Sequence, residues 1–451
     1  MVITAIFFIT ILTHVVISLV NFRAGVFFFL FFYAVYPRFF ALGLGDEQFT
    51  ITGQRAMISV MFILCVLRFL WGSAEAEEAW QVLKKYKGIS IALAGLQLAR
   101  LVGNAVTSRL DLGSIGVCVS ESLFSIFVVY LVILVVRNKQ SVLVLTGVLA
   151  LSLLLNQGIA VIEYSIDKSV FPTTLDLQYE DPQRPRSDEE YLEGKVRAGQ
   201  YRAMGLFDSS NALGGLIVAV LPFAFVSLQA FYSAFRAVLS TTIIILAVPT
   251  AFFTGSRTAL AFTLFIIAWY MYGFIARGLN KGTRKLLLAF FVFIGLLAIV
   301  PFVGDIIETI LFGDYQGSTM AHYMQYGYTF AALAESPFFG YGYARNIGDI
   351  VDIRPLDGYY MRMALEGGLV AIACMLYAMR KAYVLAGSFA ARSTDKIVLA
   401  AAPAIRVVLV TFFFSMLVQS MSNIRLYSFL TIGLVMAIGY FIVDAVGESD
   451  V

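Results

Sequence analysis

The sequence predicts an all-α polytopic membrane protein, a bundle of about 12–13 transmembrane helices with two long extracytoplasmic loops. The chain is 60% hydrophobic and only 14% charged, a composition that excludes a water-soluble globular protein. Apolar runs close to the ~20 residues that a helix needs to cross a bilayer follow one another along most of its length. These runs lack the strict alternation of a membrane β-barrel strand, so we interpret each run as a helix.

Thirteen apolar windows are present, and they divide the chain into five regions. N-terminal transmembrane helices occupy 1–163, a first long loop 164–207, central transmembrane helices 208–303, a large loop 304–358 and C-terminal transmembrane helices 359–451. The windows are 3–20, 24–42, 56–72, 89–105, 115–136, 141–163, 208–229, 237–254, 257–275, 285–303, 359–379, 398–420 and 424–446. Arginines interrupt the second and fourth windows, so twelve spans is the alternative to thirteen.

The first apolar window and the first long loop flank the other N-terminal spans. The window 3–20 lacks a basic n-region and a small-residue cleavage site, so we expect a retained span rather than a cleaved signal peptide. The first long loop is polar and broken by prolines, which predicts a partly extended segment with a short helix at 189–201.

Basic residues in the short loops orient the bundle, because cytoplasmic loops carry an excess of Lys and Arg. If every window spans once, one face collects these residues, which makes that face cytoplasmic and places both long loops outside. They are Lys84, Lys85, Lys87, Arg137, Lys139, Arg236, Arg277, Lys281, Arg284, Lys285, Arg380, Lys381, Arg392 and Lys396. The net charge of +3 is too small to indicate a nucleic-acid partner.

Two outer arginines are candidates for binding an anion. Arg202 lies where the first long loop enters a span, ahead of Asn211, and Arg257 is the only charge in a short hairpin between two spans. Either one alone is also typical of an interfacial arginine that packs its apolar stem along the bundle. Together they favour a diphosphate site, because guanidinium groups offer planar, permanently charged contacts to phosphate oxygens.

The large loop and the span after it hold the remaining charged candidates. His322 is a possible acid or base, because imidazole titrates near neutral pH, although a structural histidine is the alternative. Asp357, at the entrance of the span, is either a helix N-cap or a functional carboxylate. Arg362 and Glu366 stand four residues apart on one helix, which permits an ion pair as well as a contact with a substrate.

The sequence offers no metal site. The chain has only two histidines, one of them His14 in the first span, and it contains neither an Asp-x-Asp pair nor a Gly-rich phosphate loop ending in Lys. All three cysteines fall inside apolar windows, which excludes a disulfide in the long loops. We therefore expect no metal and no organic cofactor.

Several short motifs, in this order, resemble the bacterial superfamily of O-antigen ligases and O-antigen or exopolysaccharide polymerases. The resemblance covers roughly 202–369. The motifs are an Arg-x-x-Gly with a following Asn (Arg202, Gly205, Asn211), a Ser-Arg after a span (Ser256, Arg257) and a Pro-x-x-Gly-x-Gly turn (Pro337, Gly340, Gly342). In the ligases the last motif reads His-Asn, nine residues and Gly. Here it reads Asp357–Gly358, nine residues and Gly368.

The resemblance implies glycosyl transfer from an undecaprenyl-diphosphate-linked glycan to a sugar hydroxyl of a second lipid-linked unit, at the periplasmic face of the bacterial inner membrane. Arg202 and Arg257 would stabilise the leaving diphosphate, and Asp357 or His322 would accept the proton of the attacking hydroxyl. Further substrate contacts are expected from Asn211, Arg345, Arg354, Tyr360, Arg362 and Glu366. The expected partners are the lipid-linked glycan, membrane lipid and a chain-length regulator protein.

Asp357 stands where the ligases carry the His that serves as their base, so the resemblance favours a polymerase over a ligase. A ligase that transfers finished glycan to a lipid A core is the first alternative. The second is a transporter of lipid-linked glycans, in which arginines would line a central cavity. Its candidates are Arg38, Arg68, Arg100 and Arg406.

Overall fold

The computed structural model describes residues 2–36, 41–43, 50–107, 112–171, 195–197, 200–207, 209–230, 233–275, 280, 282–283, 317–343, 358–418 and 425–444. Within these residues, ten helices are long and apolar enough to cross a membrane, and two shorter apolar helices lie at Ala5–Val20 and Phe22–Val35. The predicted all-α polytopic membrane class is confirmed. The predicted window at 285–303 lies outside the described residues.

The described part of the N-terminal half contains eight helices and one short strand pair. The helices are α1 (Val2–Val20), α2 (Phe22–Val35), α3 (Gly53–Leu70), α4 (Ala74–Lys85), α5 (Lys87–Val106), α6 (Leu112–Ser122), α7 (Val128–Val135) and α8 (Lys139–Ile166). A π-helical turn, Leu123–Phe127, joins α6 to α7 into one span. Strands β1 (Ala41–Gly43) and β2 (Thr50–Thr52) pair antiparallel ahead of α3.

The C-terminal half contains seven described helices, α9 (Ser210–Ala230), α10 (Ala234–Phe253), α11 (Arg257–Ile275), α12 (Gly317–Glu335), α13 (Tyr359–Arg392), α14 (Lys396–Val418) and α15 (Arg425–Ile438). A π-helical segment, Gly439–Asp444, continues α15. Ahead of α9, strands β3 (Val196–Arg197) and β4 (Gln200–Tyr201) pair antiparallel where a short helix was predicted. The backbone N–H of Arg202 donates to Lys195 O (2.8 Å), so this segment satisfies its backbone groups as a tight hairpin.

Helix α4 is amphipathic and too short to span. Glu75 and Glu77 lie in its first turn and Lys84 and Lys85 in its last, an order that complements the helix macrodipole. Its apolar face is buried against the bundle, while Trp80 on the other face is exposed. The helix therefore lies between α3 and α5 as a surface element.

Helices α9 and α15 form the centre of the bundle, because 89% of each apolar window is buried. Helix α9 packs against α8, α10, α11 and α14, and α13 packs along α5. The peripheral helices expose large apolar side chains, as expected where a helix faces lipid. Phe8, Leu12, Ile91, Leu98 and Phe274 are examples.

Ion pairs between basic loop residues and two aspartates mark one end of the bundle. Lys139 Nζ lies 2.7 Å from Asp395 Oδ2, and Lys85 Nζ lies 2.7 Å from Asp444 Oδ2. Asp444 also pairs with Arg392. The three basic residues in these pairs, Lys85, Lys139 and Arg392, belong to the set of basic loop residues that orients the chain in the membrane. At the opposite end, α8, α10 and α14 finish, and α9, α11, α13 and α15 begin.

Candidate functional site

Arg202 is held at that opposite end by its backbone and by its side chain. Next to it, Ala203 donates its backbone N–H to Phe253 O at 2.9 Å. The Arg202 guanidinium donates from Nε to Thr254 O (3.2 Å) and from Nη2 to Asn211 Oδ1 (3.3 Å). The guanidinium is thus fixed between the end of α10 and the start of α9, and the predicted neighbour Asn211 orients it.

Arg257 lies on the same turn that holds Arg202. A Cβ placed on Gly255 would lie 3.3 Å from Arg202 Cγ and 3.4 Å from its Nε, so the Arg202 side chain runs along this turn. Two residues later Arg257 begins α11, with its side chain exposed. The structure therefore brings the two predicted arginines to one turn, and we call Arg202, Asn211 and Arg257 the two-arginine site.

Two helix N-termini meet at the two-arginine site. A Cβ on Gly214, in the second turn of α9, would lie only 2.5 Å from Ala259 Cβ in the first turn of α11, so the two helix starts pack in close contact. Ser209 and Ser256 accept hydrogen bonds from the backbone N–H groups of residues 212 and 259, at 3.3 and 3.4 Å. Helix N-termini carry partial positive charge, and here they add to two guanidinium groups. The combination is suited to an anion.

Arg362 and Glu366 belong to a second site, which we call the five-charge network: Arg100, Glu121, Arg362, Glu366 and Arg425. Arg362 Nε lies 2.7 Å from Glu366 Oε1, and Arg100 Nε lies 3.4 Å from Glu366 Oε2. Glu121 pairs with Arg425 and lies 3.9 Å from Arg362 Nη2 and 4.0 Å from Arg100 Nη1. The ion pair that the i, i+4 spacing permits is present, inside a larger network of three arginines and two glutamates.

Sequence reasoning identified Arg362, Glu366 and, separately, Arg100, but it missed Glu121 and Arg425. Arg362 is its most exposed member, with 23% of the side chain accessible, while the Arg100 side chain is 1% accessible. Glu121 and Arg425 lie at positions where apolar windows carry a charge, and a charge inside a span is the signal that identifies such residues. The charged residues of the network pair because α13 packs on α5 and because α15 packs on the span that contains α6 and α7. No sequence pattern predicts this packing.

The arginines that would line a transporter cavity have separate partners. Arg68 pairs with Glu75 (2.6 Å) and lies over the Phe22 ring. Arg406 donates to the Tyr383 hydroxyl (2.5 Å) and lies over the Tyr383 ring. Arg100 belongs to the five-charge network, and Arg38 lies outside the described residues. The three described arginines therefore do not share a set of neighbours.

The Pro-x-x-Gly-x-Gly turn is bound to a break in α13. At Gly368 the helix backbone takes φ 61° and ψ −161°, which interrupts the helical hydrogen bonds. The turn supplies the missing partners: residues 341 and 342 donate to Leu365 O (2.6 Å) and Glu366 O (2.9 Å). Residues 369 and 370 donate to Pro337 O (2.8 Å) and Phe338 O (3.2 Å). The motif therefore joins the large loop to the helix that carries Arg362 and Glu366.

The same turn ends on a fixed tyrosine beside the five-charge network. Tyr343 exchanges hydrogen bonds with Asn104 of α5, from its N–H to Oδ1 (2.7 Å) and from Nδ2 to its carbonyl (2.9 Å). Its ring lies 5.3 Å from the Arg100 guanidinium, and its hydroxyl pairs with Gln97. The large loop is thus anchored on α5 as well as on α13.

The other predicted site residues are described in part. Tyr360 packs against Phe413 of α14, with ring centroids 6.3 Å apart, and its buried hydroxyl has no hydrogen-bond partner among the described residues. Asp357, Arg345 and Arg354 lie outside the described residues. His322 falls within α12, but its side chain is not described. The roles expected for these four residues stay predictions.

Comparison with known proteins agrees with the motifs. Residues 242–376 match the family model described as O-antigen ligase. This range includes Arg257, the turn at 337–342 and the charged start of α13, while Arg202 and Asn211 precede it. No curated protein matches the chain.

Proposed function

We propose that the chain is a polysaccharide polymerase of the O-antigen ligase and polymerase superfamily. The support is its many apolar helices and its match to the O-antigen ligase family model, whose members are glycosyltransferase-like enzymes. The proposed polymerase joins undecaprenyl-diphosphate-linked oligosaccharide repeat units at the periplasmic face of the bacterial inner membrane. The observation that carries the proposal is the two-arginine site, in which the Arg202 guanidinium is held at the turn from which Arg257 begins α11, and two helix N-termini converge.

The two-arginine site supports a glycan donor whose leaving group is a lipid diphosphate. Negative charge grows on the diphosphate as the glycosidic bond to it breaks. Donors that are already oriented stabilise such charge most strongly, since they need no reorganisation during the reaction. Arg202 is oriented by Thr254 O and Asn211, so its contribution is built into the fold. The arginines carry this charge in place of a metal, and attack opposite the diphosphate inverts the anomeric centre.

A general base completes the reaction by taking the proton of the attacking sugar hydroxyl. Asp357, directly ahead of Gly358 and α13, is our first candidate, and His322 on α12 is the second. A well-placed base contributes about 10²–10⁴-fold to the rate. The buried hydroxyl of Tyr360, in the first turn of α13, and Arg362, the accessible member of the five-charge network, support a sugar-binding role for the start of this helix. Arg345, Arg354 and Glu366 are assigned to the same role.

The lipid tail of the donor enters sideways between helices from the surrounding membrane lipid. Apolar side chains that face lipid allow such an approach without exposing the polyprenyl chain to water. A chain-length regulator protein is the proposed protein partner, and no nucleic acid takes part.

A ligase remains the competing function because the family model carries that description. Asp357 in place of the ligase His favours the polymerase. A transporter is favoured less, because the described intramembrane arginines have separate partners.

The test is polymerisation by the purified protein in detergent, supplied with one defined undecaprenyl-diphosphate oligosaccharide and no ion gradient. We expect products of two or more joined repeats. Arg202→Lys keeps a positive charge but loses the two-point contact, and it should slow extension about 10²–10³-fold, as loss of one oxyanion donor does. Arg68→Lys is the matched control, because Arg68 is also held by its guanidinium group, in an ion pair with Glu75 away from the site; it should extend glycan normally.

Two results would refute the polymerase. One is normal extension by Arg202→Lys and Arg257→Ala together. The other is transfer of glycan only when a lipid A core acceptor is added, which would identify a ligase. Movement of lipid-linked glycan across a vesicle membrane without any new glycosidic bond would instead identify a transporter.

A further inference from the structure

We infer that Glu163 is a positioning residue for the diphosphate site: it holds the backbone of the loop that carries Arg202, and through it the direction of the Arg202 guanidinium. The inference rests on the proposed function, because it assigns a role within the same site. Neither the motifs nor the family comparison point to Glu163, which lies near the end of α8, outside the matched range.

The Glu163 carboxylate is fully buried and accepts hydrogen bonds from three described backbone N–H groups, and Lys195 supplies a positive charge nearby. Oε2 accepts from Met204 (2.9 Å) and from Gly205 (2.8 Å), and Oε1 accepts from Val170 (3.2 Å). A buried charge is costly unless it is hydrogen-bonded, and three N–H donors meet that need here. The carboxylate thus takes the place of a backbone partner for two consecutive residues of the Arg202 loop.

Asn156 extends this support by one residue. Its Oδ1 accepts from the Leu206 N–H (3.1 Å), and its Nδ2 donates to Ala34 O (2.9 Å) and Ser152 O (3.0 Å). Three successive N–H groups of the loop, at residues 204–206, therefore point at one face of α8. This arrangement requires φ +62° at Gly205, where a Cβ would also lie 3.0 Å from Asn156 Oδ1.

The loop residues that Glu163 holds are close to Arg202 along the chain, so their position acts directly on Arg202. Met204 is two residues from Arg202, and the residue between them, Ala203, donates its N–H to Phe253 O (2.9 Å). The segment 202–206 is therefore fixed by α8 on one side and by the end of α10 on the other. A shift of 204–205 moves Arg202 relative to Thr254 and Asn211, and misplacement of a catalytic group by about 1 Å costs about 10²-fold in rate.

Glu163→Gln is the informative change, because it keeps the size of the side chain but removes the charge and replaces one accepting oxygen with an NH₂ group. That group cannot accept from the two N–H groups that now share Oε2, or, in the other orientation, from the Val170 N–H. We expect the loop to lose its alignment while the rest of α8 stays packed.

The test is a double-mutant cycle in binding, which needs no catalytic activity. The dissociation constant of undecaprenyl diphosphate is measured for the purified full chain, Glu163→Gln, Arg202→Ala and the double variant. We expect Glu163→Gln to weaken binding about tenfold or more, as loss of charge-assisted hydrogen bonds does. The double variant should bind no more weakly than Arg202→Ala alone, because Glu163 acts through Arg202.

A control and a second variant complete the design. Thr146→Val removes another buried hydrogen bond of α8, to Leu143 O (3.2 Å), and should bind as the wild type does. Glu163→Asp keeps the charge on a shorter side chain and should give an intermediate loss that is again absent in the Arg202→Ala background. If Glu163→Gln does not yield folded protein, the cycle is run with Glu163→Asp.

The possible failures are distinguishable. If the effects of Glu163 and Arg202 variants multiply, or if Glu163 variants bind normally, the positioning role is refuted and the diphosphate site stands. If Arg202→Ala itself binds undecaprenyl diphosphate as tightly as the wild type, both the proposed function and this inference are refuted.

Discussion

Gly368 provides the sharpest test of how the large loop is attached, because Gly368→Ala introduces a single methyl group where the structure leaves no space. The added Cβ would lie 2.4 Å from Phe338 C and O and 2.6 Å from Phe339 N. These are backbone atoms, so no side-chain rotation relieves the contact. The position also has φ 61°, which alanine rarely adopts.

The expected loss of stability follows from the backbone hydrogen bonds that the added methyl group would break. Undocking the turn from α13 removes four backbone hydrogen bonds, those donated by Tyr341, Gly342, Leu369 and Val370. Each contributes about 1 kcal/mol net, and the backbone conformation adds about 1–3 kcal/mol of strain when alanine replaces glycine. We therefore expect Gly368→Ala to lower the free energy of unfolding by about 5–7 kcal/mol if the turn is fully released.

The assay is denaturant unfolding of the purified protein in detergent, followed by intrinsic fluorescence. Gly158→Ala is the matched control: Gly158 lies within α8, and a Cβ there would meet nothing within 4 Å. This control should change stability by no more than about 1 kcal/mol, in the stabilising direction. A Gly368→Ala protein within about 1 kcal/mol of the wild type would show that the turn and the helix break are not one structural unit.

Three further changes test other parts of the structure. Arg257 is exposed at the start of α11, and Arg257→Ala should reduce the initial rate of glycan extension about 10²–10³-fold. Equal amounts of inserted protein, checked by immunoblot, exclude a folding defect. An unchanged rate would refute the role of Arg257 in binding the diphosphate. Glu121→Gln leaves the three arginines of the five-charge network with one carboxylate and should cost about 3–5 kcal/mol of unfolding free energy. A loss below about 1 kcal/mol would mean that the five-charge network does not stabilise the bundle. Burial raises the pKa of Asp395, but the hydrogen bonds from Lys139 and from the Ile397 N–H lower it more, so that its pKa in the folded protein lies below the usual 3.8. Asp395 therefore stabilises the protein above pH 3.8, and this contribution disappears as the pH falls through the lowered pKa. Asp395→Asn should accordingly cost about 0.5–1 kcal/mol at pH 7 and nothing at the lowest pH at which the protein is folded, and a loss that does not depend on pH would contradict the assignment.

The sequence predicts those residues of the candidate site that are charged and lie at the outer ends of spans. Arg202 and Arg257 were selected in this way, and the structure places both at one turn. Glu163 was not selected, because a single glutamate at the end of an apolar window also fits a solvated helix end. Its importance depends on which backbone groups its carboxylate meets, and these belong to a loop about forty residues further along the chain.

The five-charge network shows the same limit in another form. The i, i+4 spacing of Arg362 and Glu366 predicts their ion pair, because both residues lie on one helix. Arg100, Glu121 and Arg425 come from three other helices, and a pairing across helices follows from their packing, which no spacing in the sequence encodes.

What the sequence by itself determined is the class of the protein and the positions of the ten described helices that are long enough to span, because a bilayer requires about 20 apolar residues in each crossing and every backbone group satisfied within it. It also indicated the turn at Pro337–Gly342, because glycines at such spacing mark a tight backbone conformation. Only the tertiary structure decided that this turn closes the break at Gly368 and that a buried carboxylate on α8 holds the Arg202 loop. The physical reason is that apolar periodicity is a local property of the chain, whereas a hydrogen bond or ion pair between distant residues exists only once the helices have packed.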